Sequence, residues 1–152
     1  MNGLRILSVI ALVAVLFACG DDGDDSANAP VIGERTVNVV LSYQGGSNHG
    51  PMDASGTAVV NGTTGQVDIM VMGLPTLTDD LYEGWLAGGG ETPLTTGTFN
   101  TDENGDGSST IVIDNLAGRT FTKVVLTVEP APDPDPAPDA RHSIEGPIPA
   151  AE

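Results

Sequence analysis

The sequence has few basic residues, few aromatic residues and one cysteine. Five Lys and Arg stand against 21 Asp and Glu, which gives a formal net charge of −16. Nucleic acids and anionic lipid headgroups both attract basic surfaces, so this balance argues against either as a partner. Aromatic residues make up 4% of the chain, whereas there are 20 Gly and 11 Pro. This composition favours short strands joined by turns over long helices.

The single cysteine, Cys19, excludes an intramolecular disulfide. The sequence also lacks a hydrophobic run long enough to span a membrane. The longest run, residues 6–17, would cover roughly 18 Å as a helix, whereas the hydrocarbon core is about 30 Å thick. Because it follows a short basic stretch at residues 1–5, the run fits the h-region of a signal peptide.

The residues around Cys19 explain its position. Leu16, Phe17 and Ala18 resemble the bacterial lipobox, in which a small residue precedes an invariant cysteine, although Phe17 is bulkier than the usual residue. The resemblance implies diacylglycerol on the Cys19 thiol, cleavage between Ala18 and Cys19, and acylation of the new amino terminus. We therefore predict a lipoprotein signal peptide at 1–18 and a palmitate-type lipid anchor. An ordinary cleaved signal and an uncleaved anchor are the alternatives.

Residues 19–30 are acidic, small and without apolar periodicity, which predicts a disordered tether. Fully extended, such a tether would hold a domain up to about 35 Å from the bilayer. Gly20, directly after the modified cysteine, favours the outer membrane. Asp21 and Asp22 leave the inner membrane open as the alternative. In either case the expected location is the cell envelope, with the domain exported.

From residue 31 onward, apolar and polar residues alternate with period two, the pattern of half-buried strands. Residues 61–65 (NGTTG) separate two such runs and predict a hairpin. Seven or eight strands and no helical spacing predict an all-β domain at 31–149, an antiparallel two-sheet β-sandwich of immunoglobulin-like type. A Pro/Asp-rich loop interrupts it at 130–139, and 150–152 form a tail. The predicted strands are 36–43, 56–60, 66–72, 81–87, 95–99, 109–113, 121–128 and, at an edge, 144–148.

Short motifs within residues 59–148 resemble the extracytoplasmic C-terminal domain of anti-sigma-K factors, the RskA family. In order they are MGLP at 72–75, LYEGWL at 81–86, GTF at 97–99, the Asp/Gly turn at 102–107, LTVEP at 126–130 and EGP at 145–147. The resemblance implies a β-sandwich and an exported location. No residue corresponds to the sigma-binding segment of family members, and a Pro/Asp run replaces the Gly-rich loop that follows the LTVEP position. The resemblance therefore does not imply anti-sigma activity for this chain.

Residues 102–107 also match the first half of a calcium-binding loop, D-x-[DN]-x-[DN]-G. Asp102, Asn104 and Asp106 would supply oxygen ligands at alternate positions, which suit a hard cation. However, the twelfth position is Ile113 instead of the bidentate Glu. The alternative is a hairpin turn, since Asp, Asn and Gly tolerate left-handed backbone.

Tyr82 and Trp85 are candidates for a ligand face on which a sugar stacks; the alternative is that they anchor the core. His49 and His142 are the only histidines and, together with carboxylates, would be the candidates for a zinc site. There is no G-x-S-x-G nucleophile elbow, and we expect the protein not to be an enzyme.

These features predict a membrane-anchored envelope lipoprotein that serves as a non-enzymatic interaction or sensing module. Its partners would be the membrane, through the lipid on Cys19, and an envelope protein or glycan. No cofactor is expected. The alternative is a calcium- or carbohydrate-binding envelope protein that uses Asp102, Asn104 and Asp106 or the face at Tyr82 and Trp85.

Overall fold

The computed structural model describes residues 32–45, 49–135 and 137–151. The predicted signal peptide, Cys19 and the tether lie outside the described residues. Eight strands and one short 3-10 helix follow one another along the chain. The strands are β1 (Thr36–Ser42), β2 (Ser55–Asn61), β3 (Gln66–Met72), β4 (Asp80–Ala87), β5 (Leu94–Phe99), β6 (Gly107–Val112), β7 (Lys123–Pro130) and β8 (His142–Pro147), and the helix is Leu116–Gly118. The all-β prediction is confirmed.

Local sequence explains the hairpin between β2 and β3. In both strands the residues that face inward are buried and their neighbours are more exposed, as the alternation predicts. Asn61 closes the turn: its carbonyl accepts the Gly65 N–H at 2.8 Å, and its side-chain Oδ1 accepts the Thr64 N–H at 3.0 Å. Gly65 has φ +73°, a conformation that glycine adopts without steric cost.

All eight strands join in one antiparallel sheet, in the order β5-β4-β7-β8-β1-β2-β3-β6. The predicted division into two separate sheets is therefore corrected. Two groups of four strands are present, but β8 and β1 connect them through the pair Ser42 and Glu145. The last strand, predicted at an edge, lies between β7 and β1. Because this connection joins residues far apart in the chain, no local pattern indicates it.

The two edge strands, β5 and β6, approach each other, so that the sheet nearly closes like a barrel. The Ser109 hydroxyl of β6 donates to the Thr96 carbonyl of β5 at 3.1 Å. At one end, the segment after β3 crosses the loop before β6: the Leu74 N–H donates to the Gly105 carbonyl at 3.2 Å. The closed interior holds the core, whose largest fully buried side chains include Tyr82, Phe121, Ile32, Leu41, Ile69, Leu74, Leu86, Leu116, Leu126 and Ile144.

Strands β4 and β7 differ from the others because both of their faces are buried. Tyr82 and Leu126, for example, point into the core. The alternate residues point outward and are nevertheless covered, among them Glu83, Trp85 and Glu129. The Pro/Asp-rich loop after β7 folds back toward this outer face, where the Asp139 N–H donates to Glu129 Oε1 at 2.9 Å.

Candidate functional site

The outer faces of the sheet carry two features that the strand pattern alone did not reveal. The first is a group of polar side chains on β4, β5 and β7, all buried except that of Thr95, which we call the carboxylate network. It consists of Glu83, Trp85, Thr95, Thr127 and Glu129. The second is an exposed apolar groove on the opposite half of the sheet, described below.

Hydrogen bonds connect the members of the carboxylate network. Trp85 Nε1–H donates to the Thr127 hydroxyl at 2.8 Å, and that hydroxyl donates in turn to the Glu129 carboxylate. The Thr95 hydroxyl donates to the Glu83 carboxylate. The side chains meet because Glu83 lies opposite Thr127 in the β4–β7 ladder and Trp85 lies opposite Thr95 in the β4–β5 ladder.

The network holds two carboxyl groups out of water. Glu83 and Glu129 are 7% and 2% exposed. Burial raises the pKa of Glu83, and the nearby carboxylates of Glu129 and Asp133 raise it further, against the hydrogen bond from Thr95. Within the described part of the chain, no Lys or Arg contacts either glutamate; the nearby Arg141 binds Asp80 at 2.8 Å and Asp139 at 3.3 Å instead.

A cavity of about 280 Å³ lies beneath the Pro/Asp-rich loop beside this network. Its polar lining comes from Glu129, Asp133, Asp135 and Asp139. The pKa of Asp139 is lowered because its carboxylate accepts the Arg141 N–H and pairs with the Arg141 guanidinium. Within residues 32–45, 49–135 and 137–151, no group of three or more His, Cys, Asp or Glu is arranged to hold a metal ion.

The predicted calcium ligands lie in the loop between β5 and β6. Asp102 Oδ1 accepts the backbone N–H groups of Asn104 at 2.8 Å and of Asp106 at 3.0 Å, and the Gly105 N–H donates to the Asp102 carbonyl at 3.0 Å. The hydrogen bonds to this carboxylate, above all the one from the Asp106 N–H, lower the pKa of Asp102. The geometry is that of an Asp-closed turn, the alternative interpretation, and calcium binding stays a prediction.

The structure places the predicted aromatic ligand face inside the protein. Trp85 is 2% exposed and belongs to the carboxylate network. Tyr82 is 1% exposed, lies 5.9 Å from the Phe99 ring between centroids, and donates its hydroxyl to the Pro75 carbonyl at 2.7 Å. Tyr82 packs in the core and Trp85 lies on the covered outer face of β4, so both rings are buried in this structure; sugar binding at these residues stays a prediction.

The two histidines, far apart in sequence, are neighbours in the fold. The backbone N–H of His49 donates to the His142 carbonyl. His142 Nδ1 lies 3.5 Å from a Glu145 carboxylate oxygen, and Glu145 also binds Lys123 at 3.1 Å. The side chains of His142, Glu145 and Lys123 thus form a polar cluster on the outer face of β7 and β8. Zinc binding by the histidines stays a prediction.

The exposed apolar groove crosses the outer face of β1, β2, β3 and β6. Three large side chains line it: Val40, Met70 and Met72, which are 72%, 61% and 59% exposed. We call this surface the methionine face. The alternating pattern places Met70 opposite to the core residues of its strand. An apolar residue at a solvent-facing position is therefore the sequence signal that could have identified it.

Comparison with known families agrees with the motifs in the chain. The family described as "Anti-sigma-K factor rskA, C-terminal" matches residues 6–143. This match begins earlier than the motifs at 59–148 and includes the apolar run before Cys19. No curated protein and no solved structure matches the chain. Among the described residues, no helix has the length and apolar character needed to cross a membrane. The chain belongs to the family of anti-sigma-K factor RskA C-terminal domains.

Proposed function

We propose that this protein is a lipid-anchored regulatory module of the cell envelope that acts by binding a partner and not by catalysis. Membership of the RskA C-terminal family carries the proposal, because this domain is a component of a regulatory protein. The lipobox at Cys19 supplies the anchor, and Gly20 favours the outer membrane as its location.

The surface chemistry supports binding as the mode of action. The acidic groups of the carboxylate network are covered, and their carboxylates accept hydrogen bonds from neighbouring threonine hydroxyls. The methionine face, by contrast, exposes large apolar side chains to water. Contiguous apolar surface on a soluble domain is typical of an interaction site.

The experiment compares the native chain with a Cys19→Ser variant in cells, both carrying a tag at the exposed C-terminal end. A cross-linker that does not enter the cytoplasm is applied before fractionation. We expect the native chain in the membrane fraction, in cross-linked species of defined mass, with lipid at its N-terminus. Because Cys19 is also the cleavage site of the lipobox, we expect the variant to carry no lipid and to keep residues 1–18. A native chain without lipid contradicts the anchor, and a native chain that cross-links to no envelope protein or glycan contradicts the binding role.

A further inference from the structure

We propose that the methionine face binds a short amphipathic segment of a partner protein, one that carries Lys or Arg beside its apolar side chains. The inference rests on the proposed binding function and names the chemistry of the partner. It starts from exposure: Val40, Met70 and Met72 each leave more than half of their surface in water. Burying them against a partner removes apolar surface from water at about 25 cal/mol per Å².

The arrangement of these side chains forms a trough. The ladders place Val40, Thr57 and Met70 side by side on β1, β2 and β3, with Ser108 of β6 beyond Met70. In the next row, Ser55 of β2 pairs with Met72 of β3. Small side chains on β2 thus form a floor between walls of valine and methionine. The groove has a volume of about 730 Å³.

The dimensions suit one short helix. The walls on β1 and β3 are two strand spacings apart, roughly 10 Å, which is about the diameter of a helix with its side chains. A helix of about nine or ten residues lying along β2 presents two or three apolar side chains on one face, at i, i+3 or i+4 and i+7. Methionine side chains are flexible and polarisable, and they adapt to such a face.

The charges around the groove select the sign of the partner. Asp106 lines the groove, and Asp68 precedes Met70 along the outward side of β3, where its carboxylate accepts hydrogen bonds from Gln66 and Thr110. Asp53 is exposed in the loop before β2. The backbone of this loop lies beside Gly73, at the end of β3. An acidic rim favours Lys and Arg on the partner and repels carboxylates.

No described Lys or Arg pairs with these carboxylates, because each Lys or Arg has a partner elsewhere. Arg35 binds backbone carbonyls near the C-terminal end, Arg119 binds Glu91, Lys123 binds Glu145, and Arg141 binds Asp80 and Asp139. The net charge of −16 also accelerates the approach of a cationic segment at low salt. Shape and charge therefore point to the same occupant.

The test measures peptide binding by fluorescence anisotropy. The full chain, purified from membranes, is placed in nanodiscs of zwitterionic lipid and titrated into labelled amphipathic peptides of twelve residues. One peptide combines Leu with Lys and the other Leu with Glu in the same pattern. We expect the Leu/Lys peptide to bind at least about tenfold more tightly than the Leu/Glu peptide, and its affinity to fall with added salt.

Variants then locate the binding surface. The double variant Met70→Gln, Met72→Gln should weaken binding of the Leu/Lys peptide by about tenfold. Val112→Thr is the matched control: Val112 is 66% exposed on the outward side of β6, outside the groove, and its substitution should leave binding unchanged. Because all three side chains face solvent, thermal melting by circular dichroism should show that the variants remain folded.

Every other result overturns the proposal. Equal binding of the two peptides would show that charge does not select the partner. Equal loss in the double variant and in Val112→Thr would place the binding elsewhere, and binding to empty nanodiscs alone would assign it to lipid. A dimer in sedimentation that the double variant dissociates would show that a second copy occupies the face. None of these results bears on Cys19, so the proposed anchoring is tested separately.

Discussion

Replacement of Glu83 by Gln should stabilise the fold at neutral pH, although it removes a buried, hydrogen-bonded group. Glu83 lies on the outer face of β4, 7% exposed, with Glu129 and Asp133 nearby and no described cation in contact. The amide oxygen of Gln can accept the Thr95 hydroxyl in place of the carboxylate. The substitution therefore keeps the hydrogen bond and removes the repulsion.

The ladder gives the size of the effect. Glu83 is opposite Thr127, and Glu129 is two residues further along the same face of β7, a diagonal neighbour at about 7–8 Å. At an effective dielectric constant of about 20, two like charges at this distance repel by about 2 kcal/mol. We expect Glu83→Gln to raise the free energy of unfolding by about 1–2 kcal/mol, a rise in Tm of about 4–8 °C.

The gain should depend on pH with a definite sign. Because burial raises the pKa of Glu83 in the folded state, its contribution to stability is fully present below the pKa of the unfolded chain and is lost as pH rises through the folded value. The variant and the native chain should therefore unfold alike below about pH 4 and differ fully at neutral pH.

Urea unfolding followed by the fluorescence of the single Trp85, from acidic to neutral pH, measures this difference. The exposed Glu103→Gln is the control and should show no comparable gain. A variant less stable than the native chain at neutral pH, or a gain that does not change with pH, would show that repulsion from the neighbouring carboxylates does not destabilise the fold at Glu83.

Three further substitutions and one control test other contacts by urea unfolding. Tyr82→Phe should lower the free energy of unfolding by about 1–2 kcal/mol, because the Pro75 carbonyl loses its hydrogen-bond donor while the ring stays in place. Gly84→Ala should lower the free energy of unfolding by about 1–3 kcal/mol, since the added Cβ would lie 2.2 Å from a threonine oxygen. Gly118→Ala is the control: its Cβ would meet nothing within 4 Å, and the loss should be smaller. Burial raises the pKa of Glu91, but hydrogen bonds from a backbone N–H and an arginine outweigh it and lower this pKa. The stability that this group contributes is present above the pKa of the unfolded chain and is lost as pH falls. Glu91→Gln should therefore reduce the acid sensitivity of unfolding.

The strands could be predicted from the sequence where the signal is local. Alternation placed β3 at Gln66–Met72 residue for residue, and the turn at 61–65 was sufficient for its hairpin. The start of β7 was less well predicted: Phe121 was assigned to the strand, but it packs in the core and the strand begins at Lys123. An apolar residue beside a strand has the same pattern as one within it.

Features that depend on distant pairing could not be predicted. The continuity of the sheet rests on the contact of Ser42 with Glu145, and the carboxylate network rests on the β4–β7 register that brings Glu83 near Glu129. In sequence, each glutamate is an ordinary outward-facing polar residue. Alternation shows which face a side chain takes but not whether another segment covers that face.

We propose that lipid on Cys19 holds this RskA-family domain at a membrane, and mass spectrometry of the N-terminal peptide of the native protein tests this anchor directly. We predict a peptide that begins at Cys19 and carries diacylglycerol on its sulfur and an acyl group on its amino terminus. A peptide with residues 1–18 still attached, or with a free Cys19 thiol, would contradict the claim.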